Sequence, residues 1–159
     1  MKNHNIICGS GRVGSKIAEM FRKNKTEFII IEKDMKNYEF LKREGYNVMK
    51  GNAMDEDTLI KADIANAKWI LVCLGNDADN LFIIFKAKDL NPKVKTAARV
   101  SEEESLESFY KAGIDLVVIP EIIGGIQIAK SVLGMDEVDK LQTILKKKKG
   151  GLYNPRYKP

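Results

Sequence analysis

Cys8-Gly9-Ser10-Gly11-Arg12-Val13-Gly14 is the stretch on which the reading of this chain turns. Its three glycines, Gly9, Gly11 and Gly14, spell G-x-G-x-x-G. Alone the pattern is weak, because glycines recur by chance. Here an apolar run at 5–8 precedes it and an amphipathic stretch at 13–24 follows it, the strand–turn–helix setting that a phosphate-binding loop requires. Gly9 permits the tight turn, Gly11 lets a pyrophosphate approach the backbone, and Gly14 lets the helix pack close to the strand. The N–H groups of Ser10, Gly11, Arg12 and Val13 are then expected to face the anion, helped by the helix dipole. Arg12 adds a guanidinium that can fork onto phosphate oxygens. The plainer alternatives are a glycine-rich turn without a ligand and a solvated arginine.

Working outward, the next apolar run, Phe28-Ile29-Ile30-Ile31, ends in Glu32, about 20 residues beyond the loop, where an acid accepts hydrogen bonds from ribose hydroxyls. A carboxylate there also repels a 2′-phosphate. This favours NAD or NADH, or an adenine nucleotide such as AMP, ADP or ATP, over NADP. Lys33 blurs the selectivity by placing a positive charge next door.

The same alternation continues almost to the end of the chain. Strands are predicted at 5–8, 28–32, 47–50, 68–74, 95–100 and 116–119, several as unbroken Ile/Val runs of the kind buried on both faces of a sheet. Helices are predicted at 13–24, 35–44, 55–62, 77–90, 102–112 and 121–133, with Gly45 as a C-cap and Ser101 as an N-cap. Regular β-α alternation specifies an α/β fold: a Rossmann-like, doubly wound parallel sheet of about six strands, with a last helix at 121–133. Ligands then bind at the strand C-terminal ends, near the topological switch point. The division expected is a nucleotide-binding domain at 1–134 and a basic tail at 135–159, where 136–149 has the pattern to extend a helix.

Composition sets limits on the chemistry. The 159 residues suit one domain, with 44% hydrophobic and 31% charged residues. No apolar run approaches the roughly 20 residues that span a bilayer, and the first residues do not read as a signal peptide, so a cytoplasmic location is expected. The net charge of +5 is concentrated in the tail, notably Lys146, Lys147, Lys148 and Lys149. The remainder is close to neutral, which argues against a nucleic-acid partner. The tail lysines read as a solvated terminus or as a contact for anionic lipid headgroups. Cys8 and Cys73 lie inside apolar runs and read as buried free thiols. With His4 the only histidine, no metal site is expected.

Further segments join the loop and Glu32. They are Gly51-Asn52-Ala53 with the following Asp55-Glu56-Asp57, Leu74-Gly75-Asn76-Asp77-Ala78-Asp79-Asn80, Ala98-Arg99-Val100 and Ile119-Pro120-Glu121. With them the sequence resembles the RCK/TrkA-N (KTN) family, the nucleotide-binding regulatory domains of potassium channels and potassium transporters. The resemblance covers about residues 4–134. It implies a nucleotide lying across Gly9, Ser10, Gly11, Arg12, Val13 and Gly14, with Glu32 on the ribose and Lys33 beside it. Asn52 and Ala53 border the adenine. Leu74, Gly75 and Asn76 line the other half of the crevice with Asn80 nearby, and Arg99 faces the phosphates. Asn52 departs from the family's aspartate, replacing an acidic contact with a neutral one. The family often adds a C-terminal ligand-binding domain, for which this chain ends too soon.

The resemblance also implies a homodimer formed through the crossover helix and an octameric ring under the membrane. A channel or transporter subunit is the partner, gated by ligand-driven movement, so the domain is peripheral to the membrane. A nucleotide sensor for another partner is one alternative. A small NAD-dependent oxidoreductase is another, but no second domain and no well-placed proton donor support it, so no catalytic residue is expected. Tyr38 and Lys42 match a Y-x-x-x-K pattern, yet fall in the helix after the ribose acid, at the adenosine end. Glu121 with Glu102, Glu103 and Glu104 is a weaker candidate for a divalent ion between subunits.

Overall fold

The computed structural model describes residues 3–135; the tail lysines and the helical extension read at 136–149 lie outside the described residues. Six strands alternate with six α-helices: β1 (Asn5–Cys8), α1 (Arg12–Lys23), β2 (Phe28–Glu32), α2 (Met35–Arg43), β3 (Val48–Lys50), α3 (Glu56–Lys61), β4 (Trp69–Val72), α4 (Asp77–Leu90), β5 (Lys95–Arg99), α5 (Leu106–Lys111), β6 (Leu116–Val118) and α6 (Pro120–Val132). The strands form one sheet in the order β3-β2-β1-β4-β5-β6, and every adjacent pair is parallel. This is the doubly wound arrangement that the alternation specifies. Its direction reverses between β1 and β4.

Alternate strand residues face opposite sides of the sheet, and the two sides are covered unequally. Ile6, Cys8, Ile70, Val72, Ala98 and Val117 are buried beneath Leu59 of α3, Ile83 and Ile84 of α4 and Leu106 and Phe109 of α5. On the other side Ile7 and Ile30 pack with Ala18 of α1 and Leu41 of α2 in a smaller cluster that reaches Leu71. Beyond it, Trp69, Leu116 and Val118 stay half-buried. No residue of α6 is buried, and Ile128 and Val132 are 68% and 81% exposed. Among the described residues no helix is long and apolar enough to cross a membrane.

Local signals explain most element ends. Asp34 caps α2 by accepting the Asn37 N–H, and Asn76 caps α4 by accepting the Asp79 N–H. Gly45, at φ +74°, ends α2 as expected: its N–H donates to Lys42 O and the Tyr46 N–H to Leu41 O, the paired bonds of a Schellman turn.

The helix predicted at 102–112 is instead a 3₁₀ turn, Glu103–Ser105, followed by the short α5. Ser101 does not cap it. The Asp77 carboxylate accepts the N–H groups of Ser101 and Glu102, while Ser101 Oγ is buried with no partner. A second 3₁₀ turn, Ile64–Asn66, follows Asp63 in the left-handed region and is too short to leave a periodic pattern. His4 is buried and donates from Nε2 to Ala62 O at 2.9 Å, a structural histidine tying the start of the chain to the end of α3.

The tightest point of the fold is Gly14. A Cβ there would stand 1.9 Å from Gly9 O and 3.0 Å from Gly9 C, both rigid backbone. The G14A substitution is therefore expected to destabilise the chain by about 2 kcal/mol or more, as overpacking does, read as a lower urea midpoint at unchanged slope. A midpoint equal to the parent's would show that α1 can retreat from β1 freely.

Candidate functional site

The glycine loop connects the C-terminal end of β1 to α1. Gly9 takes φ +86°, which a side chain disfavours, and its N–H donates to Ile31 O at 3.0 Å. That bond fixes the loop to β2. Gly11 is the N-cap of α1 and supplies no side-chain cap; no acidic residue lies in the first turn. The first N–H groups of α1 thus have no internal acceptor. No first-turn acid offsets the charge at this helix start, unlike that of α4, whose first turn holds Asp77 and Asp79. Arg12 is exposed beside it and Val13 is half-buried.

Glu32 is 6% exposed and its carboxylate joins two turns. Its Oε2 accepts the Ser10 N–H at 2.9 Å and the Ser10 hydroxyl, while Oε1 accepts the Asp34 N–H at 2.7 Å. The Ser10 N–H therefore points at this carboxylate rather than into an anion cradle. Gly11, Arg12 and Val13 remain from the four N–H groups expected. Roughly four acceptor positions exist on a carboxylate, so three are filled here. Lys33 is exposed next to Glu32.

Asn52 and Ala53 follow β3, and the Gly51 N–H donates to Glu32 O at 3.1 Å, so this turn borders the Glu32 end of the crevice. Asn52 Oδ1 accepts the Met54 N–H, and Ala53 is buried. On the other side Leu74 covers Gly9: a Cβ on Gly9 would lie 2.7 Å from Leu74 Cδ2. Gly75 and Asn76 are exposed, with the Asn76 side chain engaged in capping α4. Asn80 is fully buried. Its Oδ1 accepts the Leu74 N–H, and its Nδ2 donates to Leu74 O and Arg99 O, all at 2.9–3.0 Å. Asn80 is thus a clamp that fixes the rim of the crevice to the end of β5. Sequence reasoning, which places it near the ligand, misses that work because its partners are 6 and 19 residues away.

Arg99 projects from the end of β5. Its Nη2 lies 3.2 Å from Glu121 Oε1 on α6, and its Nε is buried without a partner. Glu121, read from sequence as a weak divalent candidate, is an arginine partner here. No group of three or more His, Cys, Asp or Glu is placed to hold a metal among the described residues.

Burial pushes both thiols up. For Cys8 burial outweighs all else; Cys73 is pushed up to about 12 by burial, with the Arg99 charge pulling the other way. Neither is a thiolate nucleophile near neutral pH. Tyr38 and Lys42 both lie on α2, with Lys42 Nζ 5.7 Å from the Tyr38 ring centre, on the β2 side of the crevice, where the adenosine end is expected. Two open depressions at the opposite pole of the sheet, one edged by Lys68, Lys93 and Lys95 and the other by Arg22 and Lys25, share no residue with the loop.

The TrkA-N domain family matches residues 5–120. Potassium channel protein 1 of Methanocaldococcus jannaschii is 37% identical over 147 residues, which is 91% of this chain and 44% of that protein; the chain thus spans less than half of this relative. The TrkA-N domain of the Escherichia coli inner membrane protein ybaL superposes with a TM-score of 0.75 at 26% identity, covering 86% of this chain and 98% of that one. The GsuK channel bound to NAD shares the fold, with a TM-score of 0.68 at 23% identity over 74% of this chain and 21% of that one. A β1–loop–α1 unit with an acid ending β2, inside a sheet that matches the family from Asn5 to Pro120, makes this chain a member of the TrkA-N domain family.

Proposed function

We propose that this chain is a nucleotide-binding regulatory domain that gates a potassium channel or transporter, without catalysing a reaction. One observation carries the reading: a helix start with neither side-chain cap nor first-turn acid opens beside a buried carboxylate already bonded to the same loop. The first suits a diphosphate and the second a ribose. The ligand is NAD or NADH, or else AMP, ADP or ATP. The N–H groups of Gly11, Arg12 and Val13 hold its phosphates with the Arg12 guanidinium, and Gly9 and Gly14 shape the loop. Glu32 takes the ribose as the Ser10 hydroxyl gives way, with Lys33 alongside. Asn52 and Ala53 border the base, and Leu74, Gly75, Asn76 and Arg99 form the far wall, with Asn80 buried behind it as the clamp that holds Leu74. The GsuK channel bound to NAD and the relative named as a potassium channel protein support both ligand class and partner.

The regulatory part rests on surfaces that one copy leaves uncovered. The domain, at 1–134, presents α6 with no buried residue, and Phe82 and Phe85 of α4 are about half exposed. Apolar surface of this kind marks an interface. In the reading proposed, α6 joins two copies into a homodimer, and further contacts build a ring on the cytoplasmic side of the membrane subunit. A ligand that favours one arrangement shifts the ring toward it.

Two variants test the site. A methyl group added at Gly11 would meet nothing within 4 Å, so G11A is expected to keep the parent's melting temperature. With NAD or ADP at 100 times Kd the parent should gain roughly 5–10 °C, and the variant should lose that gain because the methyl meets the phosphate. An equal gain in both places the phosphates elsewhere. E32Q should bind ribose-bearing ligands about tenfold or more weakly by calorimetry, the worth of a hydrogen bond to a charged group; unchanged affinity would take Glu32 off the sugar.

A further inference from the structure

Arg99 is a charge whose donors this fold leaves partly unused. Its side chain is only 15% exposed, against 54% for its partner Glu121. Of five guanidinium donors, Nη2 bonds Glu121 Oε1, and Nε is buried with nothing to bond. A buried donor left empty is costly unless an acceptor completes it. Its surroundings say from which side one can come. Arg99 acts on the Cys73 thiol, whose backbone would stand 3.7 Å from a Cβ on Gly9. Through Asn80, Arg99 O and both backbone groups of Leu74 are fixed to one side chain. The side chain therefore runs from the crevice rim, where Asn80 holds its backbone, to Glu121 on α6.

The other end of the pair is equally suggestive. Glu121 is in the first turn of α6, which starts at Pro120 without a side-chain cap. The helix buries no residue, and Ile122 near its start packs against the edge of the core. The Arg99–Glu121 ion pair is the salt bridge that ties α6 to the sheet among the described residues. Ion pairs with one exposed partner are weak, so an incoming anion with better geometry displaces them.

We propose that Arg99 is a two-position latch, holding Glu121 and the start of α6 in the free chain and turning to the nucleotide's phosphate when the crevice fills, so that ligand binding releases α6. The proposal rests on the nucleotide reading above and adds to it the route from ligand to crossover helix. Because linkage is reciprocal, whatever the nucleotide does to the pair the pair does to the nucleotide. Glu121 competes with the ligand for Arg99, and removing its charge must tighten binding. A purely structural ion pair predicts no such gain.

The test uses the full chain, its E121Q and R99A variants, and NAD and ADP as probes. Binding is read by calorimetry and thermal shift, and opening of the start of α6 by amide hydrogen exchange. In the parent, nucleotide should speed exchange over 121–125 severalfold. E121Q should show that faster exchange without ligand, respond no further, and bind about two- to fivefold more tightly. R99A should exchange fast at α6 and bind more weakly. If nucleotide binds the parent but E121Q binds no more tightly, or α6 exchange ignores the ligand, the latch is wrong and the nucleotide site stands. If neither probe shifts the melting temperature of parent or E121Q, the site reading itself fails and the latch goes with it.

Discussion

The close passage of α1 over the end of β1 is the contact on which the rest depends. At Gly14 the helix runs so near the Gly9 carbonyl that no side-chain carbon fits between them. A helix held that near aims its first N–H groups along the strand end rather than past it. The same proximity brings the loop within reach of β2, where the Gly9 N–H meets Ile31 O. A side-chain carbon at Gly14 would press against the Gly9 carbonyl, in the same residue whose N–H closes the loop on β2. The glycine pattern is thus a packing requirement first. Its capacity for anions follows from the packing.

Glu32 closes the same unit from the other side. A carboxylate this buried is tolerable only if its oxygens are bonded, and all three donors come from the two turns that flank the crevice, at Ser10 and Asp34. The acid therefore organises the empty crevice before it meets any ligand. Two of its three partners are backbone N–H groups and immovable. The third is a hydroxyl, which rotates at little cost. In the reading proposed, a sugar hydroxyl replacing Ser10 Oγ exchanges one hydroxyl–carboxylate hydrogen bond for another while leaving the loop in place. Preorganisation of this kind lets a ligand bind without remodelling the backbone.

The sequence makes some of this legible and conceals the rest for a consistent reason. Strand positions and the glycine loop are readable because their causes are local: apolar runs, a spacing of glycines, an acid at a strand end. The cap at Gly45 is readable for the same reason. What escapes lies in contacts between distant residues. Ser101 reads as a helix cap, but Asp77, 24 residues earlier, takes its N–H, and the helix start yields to a 3₁₀ turn. Asn80 reads as a polar residue near a ligand and proves to be a buried clamp across two strands. Glu121 carries no sign in its own neighbourhood that an arginine 22 residues before it is its partner.

The sheet of this domain is covered unevenly. Helices α3, α4 and α5 bury one side of the second half-sheet, whereas on the reverse side the smaller core reaches only Leu71 and Trp69, Leu116 and Val118 are left half-buried. A doubly wound fold ordinarily covers both sides of its strands. The chain does continue into α6 at that edge, but α6 buries none of its residues against the sheet. The consequence is a half-sheet short of one layer next to a helix short of a surface. Arg99, at the end of β5, and Glu121, at the start of α6, join the two. An ion pair there acts on a helix that is otherwise held at its start by Ile122 against the edge of the core, while Ile128 and Val132 farther along stay exposed.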